Sequence, residues 1–240
     1  MKIGLACYES RNNDIGFNAH QNERAMREAK GKVDLLCFGE AFLQGFDSLS
    51  WNYDADKDMA VTIRSPVMDQ LRRCTELYRT ALLAGYLERE GENIYSSCAV
   101  LENGETLCNY KRVTKGWKDY HRTDRHYREG NDIHEFNLRG HTFQLALCGD
   151  LWDEGWERFR TGSPLIWPVY TDYSIEEWEK SEISAYAEQA SKLSGDVLMV
   201  NSICHRPLNN GGAFHFHDGK VLSRLPFSCE GIMIVELSDA

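Results

Sequence analysis

The stretch Phe143-Gln144-Leu145-Ala146-Leu147-Cys148-Gly149-Asp150-Leu151-Trp152 constrains this chain more than any other. An apolar run of strand length ends on a cysteine, Gly and Asp follow at once, and the pattern predicts a helix over residues 153–160. A cysteine on such a strand-to-helix corner stands at the sheet edge beside free backbone N–H groups. Those groups, with the helix N-terminus, favour a thiolate and any oxyanion formed next to it. A cysteine in an apolar run is, on its own, most often a buried core thiol. The Cys-Gly-Asp corner and the residues that accompany it argue for a nucleophile, with Asp150 steadying the corner.

The pattern around that corner is α/β. Strands are expected at residues 2–8, 33–38, 81–88, 165–168, 196–202 and 231–237, and helices at 17–30 and 66–80. Ser174 with Glu177 three residues on is a capping box opening a helix to Leu193. Asn103-Gly104, Arg139-Gly140 and Asp218-Gly219 each sit between two strand-like runs and read as hairpin turns. Hairpins that interrupt a strand–helix alternation point to stacked sheets with helices outside rather than one doubly wound sheet. No repeat or linker divides the 240 residues, so residues 1–240 read as a single domain.

A formal net charge of −10 without a basic block argues against nucleic acid and anionic membrane surfaces as partners. No apolar run reaches the length needed to span a bilayer. The eight cysteines lie singly in strand-like runs with no CxxC pair, which reads as reduced thiols in a cytoplasmic protein. His205, His215 and His217 lie close in sequence, but no carboxylate or cysteine stands at a ligand spacing from them. Neither metal nor cofactor is expected.

Three features recur in the order Glu, basic residue, Cys: Glu40 after the second strand, Tyr110-Lys111-Arg112 in a hairpin arm, and Cys148. Together with Phe38-Gly39-Glu40-Ala41-Phe42, Asn103-Gly104-Glu105, Glu129-Gly130-Asn131, Cys148-Gly149-Asp150, Asn201-Ser202 and Gly212-Ala213-Phe214, they resemble the nitrilase superfamily of carbon–nitrogen hydrolases. The resemblance runs almost end to end. It implies a four-layer αββα sandwich that forms a homodimer, and a Glu-Lys-Cys triad that cleaves a small amide or N-carbamoyl compound through a thioester, releasing ammonia. Glu40 is then the general base, Cys148 the nucleophile, and the Gly149 N–H with a basic side chain the oxyanion holder.

The chain departs from the family in two places. Counting from Tyr110, the lysine register falls on Arg112, and Lys111 is one residue early, on the opposite face of a strand. Lys115 and Lys118 are further candidates if their loop folds back. Where the family often places a second Glu, the sequence offers Asp124, taken as a substrate contact together with Trp152 as a pocket wall. The Arg112 departure favours an alternative, a non-catalytic relative that binds a small carbonyl ligand or a protein. The presence of both Glu40 and Cys148 opposes it.

Overall fold

The computed structural model describes residues 1–193 and 195–237. The strands of these residues fall into two six-stranded sheets. The first contains β1 (Lys2–Cys7), β2 (Leu35–Cys37), β3 (Ala81–Glu90), β4 (Asn93–Glu102) and β5 (Glu105–Lys111), with β12 (Gly231–Glu236) added beside β1. The second is built from β6 (Glu135–Leu138), β7 (His141–Leu145), β8 (Leu165–Val169), β9 (Asp196–His205), β10 (Leu208–His217) and β11 (Lys220–Leu225), ordered β11-β10-β9-β8-β7-β6. Each sheet is parallel at its centre, β1-β2-β3 and β7-β8-β9, and antiparallel outside it.

Side-chain alternation sorts each strand between two layers. On β4, Cys98 and Val100 pack toward the second sheet, whereas Ala99 and Leu101 pack under helices. Those helices are α1 (Ile15–Ala29) and α3 (Pro66–Tyr78), with the single turn α2 (Tyr53–Asp56) between them. Ala25, Met26 and Ala29 of α1 and Met68 and Leu71 of α3 face the sheet. Asp14 caps α1 by accepting from the Phe17 N–H at 3.0 Å, and Pro66 opens α3, where its missing N–H is harmless. The far side of the second sheet is covered by α4 (Ile175–Glu177), a π-helical turn (Trp178–Glu182) and α5 (Ile183–Ser191). The result is the αββα sandwich. Leu5, Leu83, Leu145, Trp167 and Met199 are fully buried, and each such side chain is worth about 1.5–3 kcal/mol. Apolar burial therefore dominates the docking of the sheets, and polar groups at that seam need partners.

The three turns form as expected. Asn103 and Gly104, Arg139 and Gly140, and Asp218 and Gly219 all have positive φ, the conformation that suits the twist of a two-residue hairpin. Two helices differ from expectation. Residues 153–160 do not form one α-helix: 3₁₀ turns at Cys148–Leu151 and Trp156–Phe159 are separated by Gly155 at φ 87°. The helix opened by the Ser174–Glu177 capping box does form, but the π turn interrupts it. One extra residue in a turn rotates everything beyond it by about 100°.

Candidate active site

Glu40 is delivered by the turn that follows β2. The turn is pressed between the sheets: a Cβ on Gly39 would stand 2.6 Å from Ser202 Oγ, and one on Gly85 would stand 2.1 Å from the Gly39 carbonyl oxygen. The Glu40 N–H donates to the Val169 carbonyl of the second sheet at 3.2 Å. Its carboxylate, in a residue only 1% exposed, accepts from Ser96 Oγ at 2.6 Å and from Arg112 Nη1 at 3.0 and 3.3 Å. A buried carboxylate is tolerated only with such partners.

Arg112 lies just beyond β5, where its N–H donates to the Ser96 carbonyl at 2.8 Å. It shares the face of Tyr110, toward the second sheet, and its Nε donates to Thr114 Oγ1 at 3.0 Å. Burial works against its charge, but Glu40, with Cys148 and Asp150, outweighs that, so its pKa is raised. Lys111 faces the other way. Its Nζ lies 3.1 Å from Glu90 and over the Tyr95 ring.

Cys148 enters from the second sheet, after β7, with φ 41°, a strained conformation for a non-glycine residue. Asp150 holds that corner. Its Oδ2 accepts from the Leu147 N–H at 2.9 Å and Tyr110 Oη at 2.6 Å. Its Oδ1 accepts from the N–H groups of Val113 and Thr114 and from the Thr114 hydroxyl, at 2.9–3.1 Å. Burial raises the Asp150 pKa, opposed by Arg112 and these donors. A Cβ on Gly149 would stand 2.2 Å from Arg112 Nη2, so glycine lets the guanidinium lie against the corner. Trp167 Nε1 donates to the Cys148 carbonyl at 2.8 Å. The thiol donates to the Tyr170 carbonyl at 3.5 Å. Burial pushes its pKa up to about 12, Glu40 adds to the shift and Arg112 opposes it. The thiolate expected at rest is therefore disfavoured. The helix meant to stabilise it is replaced by short 3₁₀ turns, and Glu40 repels it.

The sulfur opens into a cavity of about 390 Å³ walled by Trp152, Tyr173, Tyr186, Asp172 and Glu182. Trp152, 43% exposed, meets Tyr186 edge-on with ring centres 5.0 Å apart. The other basic candidates lie elsewhere. Lys118 pairs with Glu129 at 2.6 Å, and Lys115 lines a separate cavity with Asp150 and Arg158. Asp124 does not reach the cavity that holds Cys148. It caps its own turn, accepting from the His126 N–H and contacting His126 Nδ1, both at 2.9 Å, because a short Asp side chain readily bonds the backbone two residues on.

Residues 2–155 match the family model described as carbon-nitrogen hydrolase. The chain belongs to this family. Its fold is that of the nitrilase superfamily, as solved structures show. A carbon–nitrogen hydrolase superfamily protein of Xanthomonas campestris, with an arsenic adduct in its active site, is similar at TM-score 0.79 and 16% identity, over 99% of this chain and 90% of that one. An amidase of the nitrilase superfamily from Nesterenkonia AN1 is similar at TM-score 0.80 and 18% identity, over 100% and 91%. A variant of that amidase carries acrylamide added to its active-site cysteine. The glutamine-dependent NAD+ synthetase of Acinetobacter baumannii is similar at TM-score 0.77 and 18% identity, and this chain covers 48% of it. No curated protein matches the sequence.

Several residues of this carbon–nitrogen hydrolase site escaped the sequence reading. Ser96 and Thr114 hold Glu40 and Arg112. Ser96 could have been found as a hydroxyl on the face of β4 that otherwise carries Cys98 and Val100. Glu182 and Tyr186 had no signal, because the π turn alters their phase. The histidine pair also looks different in three dimensions: Asp196 Oδ1 lies 2.7 Å from His215 Nε2 and 2.8 Å from His217 Nδ1. The carboxylate missing at a sequence spacing thus arrives across the β9–β10 pairing. Ligand atoms around a tetrahedral zinc stand roughly 3.3 Å apart, so the observed separations are those of a hydrogen-bonded clasp.

Proposed function

We propose that this chain hydrolyses the carbon–nitrogen bond of a small amide with Cys148 as nucleophile. The observation that carries this reading is the meeting of Glu40 and Arg112, from one sheet, with Cys148, from the other, where Cys148 in turn lines an open cavity. A thiol held neutral beside a carboxylate has somewhere to send its proton. As sulfur bonds to the amide carbon, Glu40 takes that proton, and negative charge moves to the carbonyl oxygen. The Gly149 N–H, to which no described residue is hydrogen-bonded, and the Arg112 guanidinium are placed to hold that charge. Glu40 then protonates the nitrogen, ammonia leaves, and a thioester remains. Water, deprotonated by Glu40, attacks the thioester, and the acid departs as sulfur recovers its proton.

The test is ammonia release from small primary amides together with intact-protein mass spectrometry. Wild type is expected to turn over and to show an acyl adduct on Cys148, while Cys148→Ala shows neither. A second reading has its own observation: Glu40 already accepts three hydrogen bonds from Ser96 and Arg112, and arginine does not give up its proton. A site so occupied suits a non-catalytic binder of a carbonyl ligand. Amide binding without turnover by wild type decides for that reading.

The same proposal includes one catalytic unit over residues 1–240, assembly as a homodimer, and a cytoplasmic setting, which the eight free thiols support. Light scattering on the purified protein tests the dimer.

A further inference from the structure

We infer that the substrate carries a positive charge on the arm opposite its scissile carbonyl, so that the site selects cationic amides and rejects anionic ones. This rests on the reading of Cys148 as nucleophile and names the substrate class for that site.

The cavity beside the sulfur holds about 390 Å³, which is room for a small amide with a short arm. Two of its walls are carboxylates, Asp172 and Glu182, and among the described residues no Lys, Arg or His lines it. Glu182 accepts the Ser181 hydroxyl at 2.8 Å, and neither carboxylate is ion-paired among the described residues. Among the described residues the one cation near Cys148, Arg112, is already matched by Glu40 at 3.0 Å. A substrate carboxylate would meet two like charges and no counter-charge. An ammonium or amidinium would meet two carboxylates and aromatic walls, whose ring faces attract cations.

The acidic wall and the sulfur address the same space. Burial comes first in raising the pKa values of Tyr173 and Tyr186, and Glu182 and Cys148 both lie close enough to add to the shift. Glu182 is the last residue of the π turn, and such turns occur often at functional positions because they re-aim a side chain that a regular helix would point elsewhere. In a partly solvated cavity each carboxylate favours a nearby cation on the order of tenfold. Between the two substrate classes the family resemblance implies, this excludes N-carbamoyl compounds with a free carboxylate and favours amides of amino-terminated acids.

Three amides of matched length test this: 5-aminopentanamide, neutral hexanamide and the anion 5-amino-5-oxopentanoate. Calorimetric binding to Cys148→Ala reads recognition apart from chemistry, and ammonia release by wild type reads turnover. The expected result is binding of the cation at least about tenfold tighter than the neutral amide, with the anion weakest. Glu182→Gln and Asp172→Asn should each reduce the cation-to-neutral ratio severalfold. Equal binding of all three, binding of none, preference for the neutral or anionic amide, or a ratio that survives both variants overturns the inference. Cation-selective binding without turnover by wild type upholds it and sinks the hydrolytic reading. Preferred turnover of a neutral or anionic amide does the reverse.

Discussion

Arg112 stands between the Glu40 carboxylate and the Cys148 corner, so its removal touches both chemistry and stability. Losing one oxyanion-holding group typically lowers kcat by about 10²–10³, and that is the range expected for Arg112→Ala in amide hydrolysis. The same change leaves Glu40 buried without its counter-charge, which typically destabilises by about 3–5 kcal/mol. Urea unfolding should show that loss, and Glu40→Gln placed on top should recover part of it. Lys111→Ala removes an exposed pair with Glu90 and a looser 4.0 Å contact with the buried Glu88, which Ser97 and Asn109 still hold, so it should cost less stability than Arg112→Ala and keep its activity. If the two variants exchange behaviour, the assignment of Arg112 is wrong. Cys148 offers a second residue-scale test. With its pKa pushed up to about 12 by burial and by Glu40, the thiolate fraction keeps rising tenfold per pH unit through the range where an ordinary thiol levels off, near pH 8.5. Iodoacetamide labelling of Cys148, followed by peptide mass spectrometry in a Cys229→Ser background, should still be climbing at about pH 10. A plateau below about pH 9 would mean a stabilised thiolate and would remove the need for Glu40 as base. Glu40, Arg112 and Cys148 were readable in sequence because each closely follows a strand, in the order that resembles the family, and strand alternation sets Arg112 apart from Lys111. The protonation state was not readable, since it depends on burial created by the opposite sheet.

The hairpins show how local chemistry is written and where it stops. Asn103-Gly104 and Asp218-Gly219 specify their turns outright. The π turn at Trp178–Glu182 follows a capping box that looks like the start of an ordinary helix, and nothing in its residues announces the extra one. Long-range pairing is similarly silent in sequence, as Asp196 shows. Burial works to raise its pKa, but His215 and His217 outweigh that and lower it, while the hydrogen bond that His217 donates to Asp196 raises the His217 pKa. The signs give a window. Asp196 contributes stability above its unfolded value of 3.8 and loses it as pH falls through its lowered folded value. His217 contributes fully below its unfolded value of 6.5 and loses it as pH rises through its raised folded value. The β9–β10 end is therefore tightest in mildly acidic solution. Wild type should melt at a higher temperature at about pH 5.5 than at about pH 8 by more than Asp196→Asn does. An unchanged pH difference in that variant would show that the clasp contributes nothing.

At the scale of the molecule, a net charge of −10 surrounds a cavity with acidic walls. Such a field gathers cations, and salt screens it. Raising ionic strength from about 0.01 to about 0.15 M shortens the screening length from about 30 to about 8 Å. Over that range kcat/KM for a cationic amide should fall severalfold while that of a neutral amide stays level. Parallel behaviour of the two would mean the overall charge plays no part. The layer order was legible in the sequence because hairpin turns and continuous apolar strands are local signals. Trp152 was legible as a wall because it stands beside the corner, whereas Asp172 and Glu182 were not, because one comes from a connection and the other from the π turn.

Asp150 ties the strand end that carries Cys148 to Tyr110, Val113 and Thr114 of the other sheet, while Glu40 reaches back to Val169. Glu40 and Cys148 thus ride on separate slabs and meet only when both are seated. The site works as a coincidence detector for its own assembly: a half-docked molecule retains its strands, shows a folded circular dichroism spectrum, and is chemically mute. In rising urea, turnover should vanish before the far-ultraviolet signal moves, so that a misassembled copy exposes no armed thiol to the amides around it.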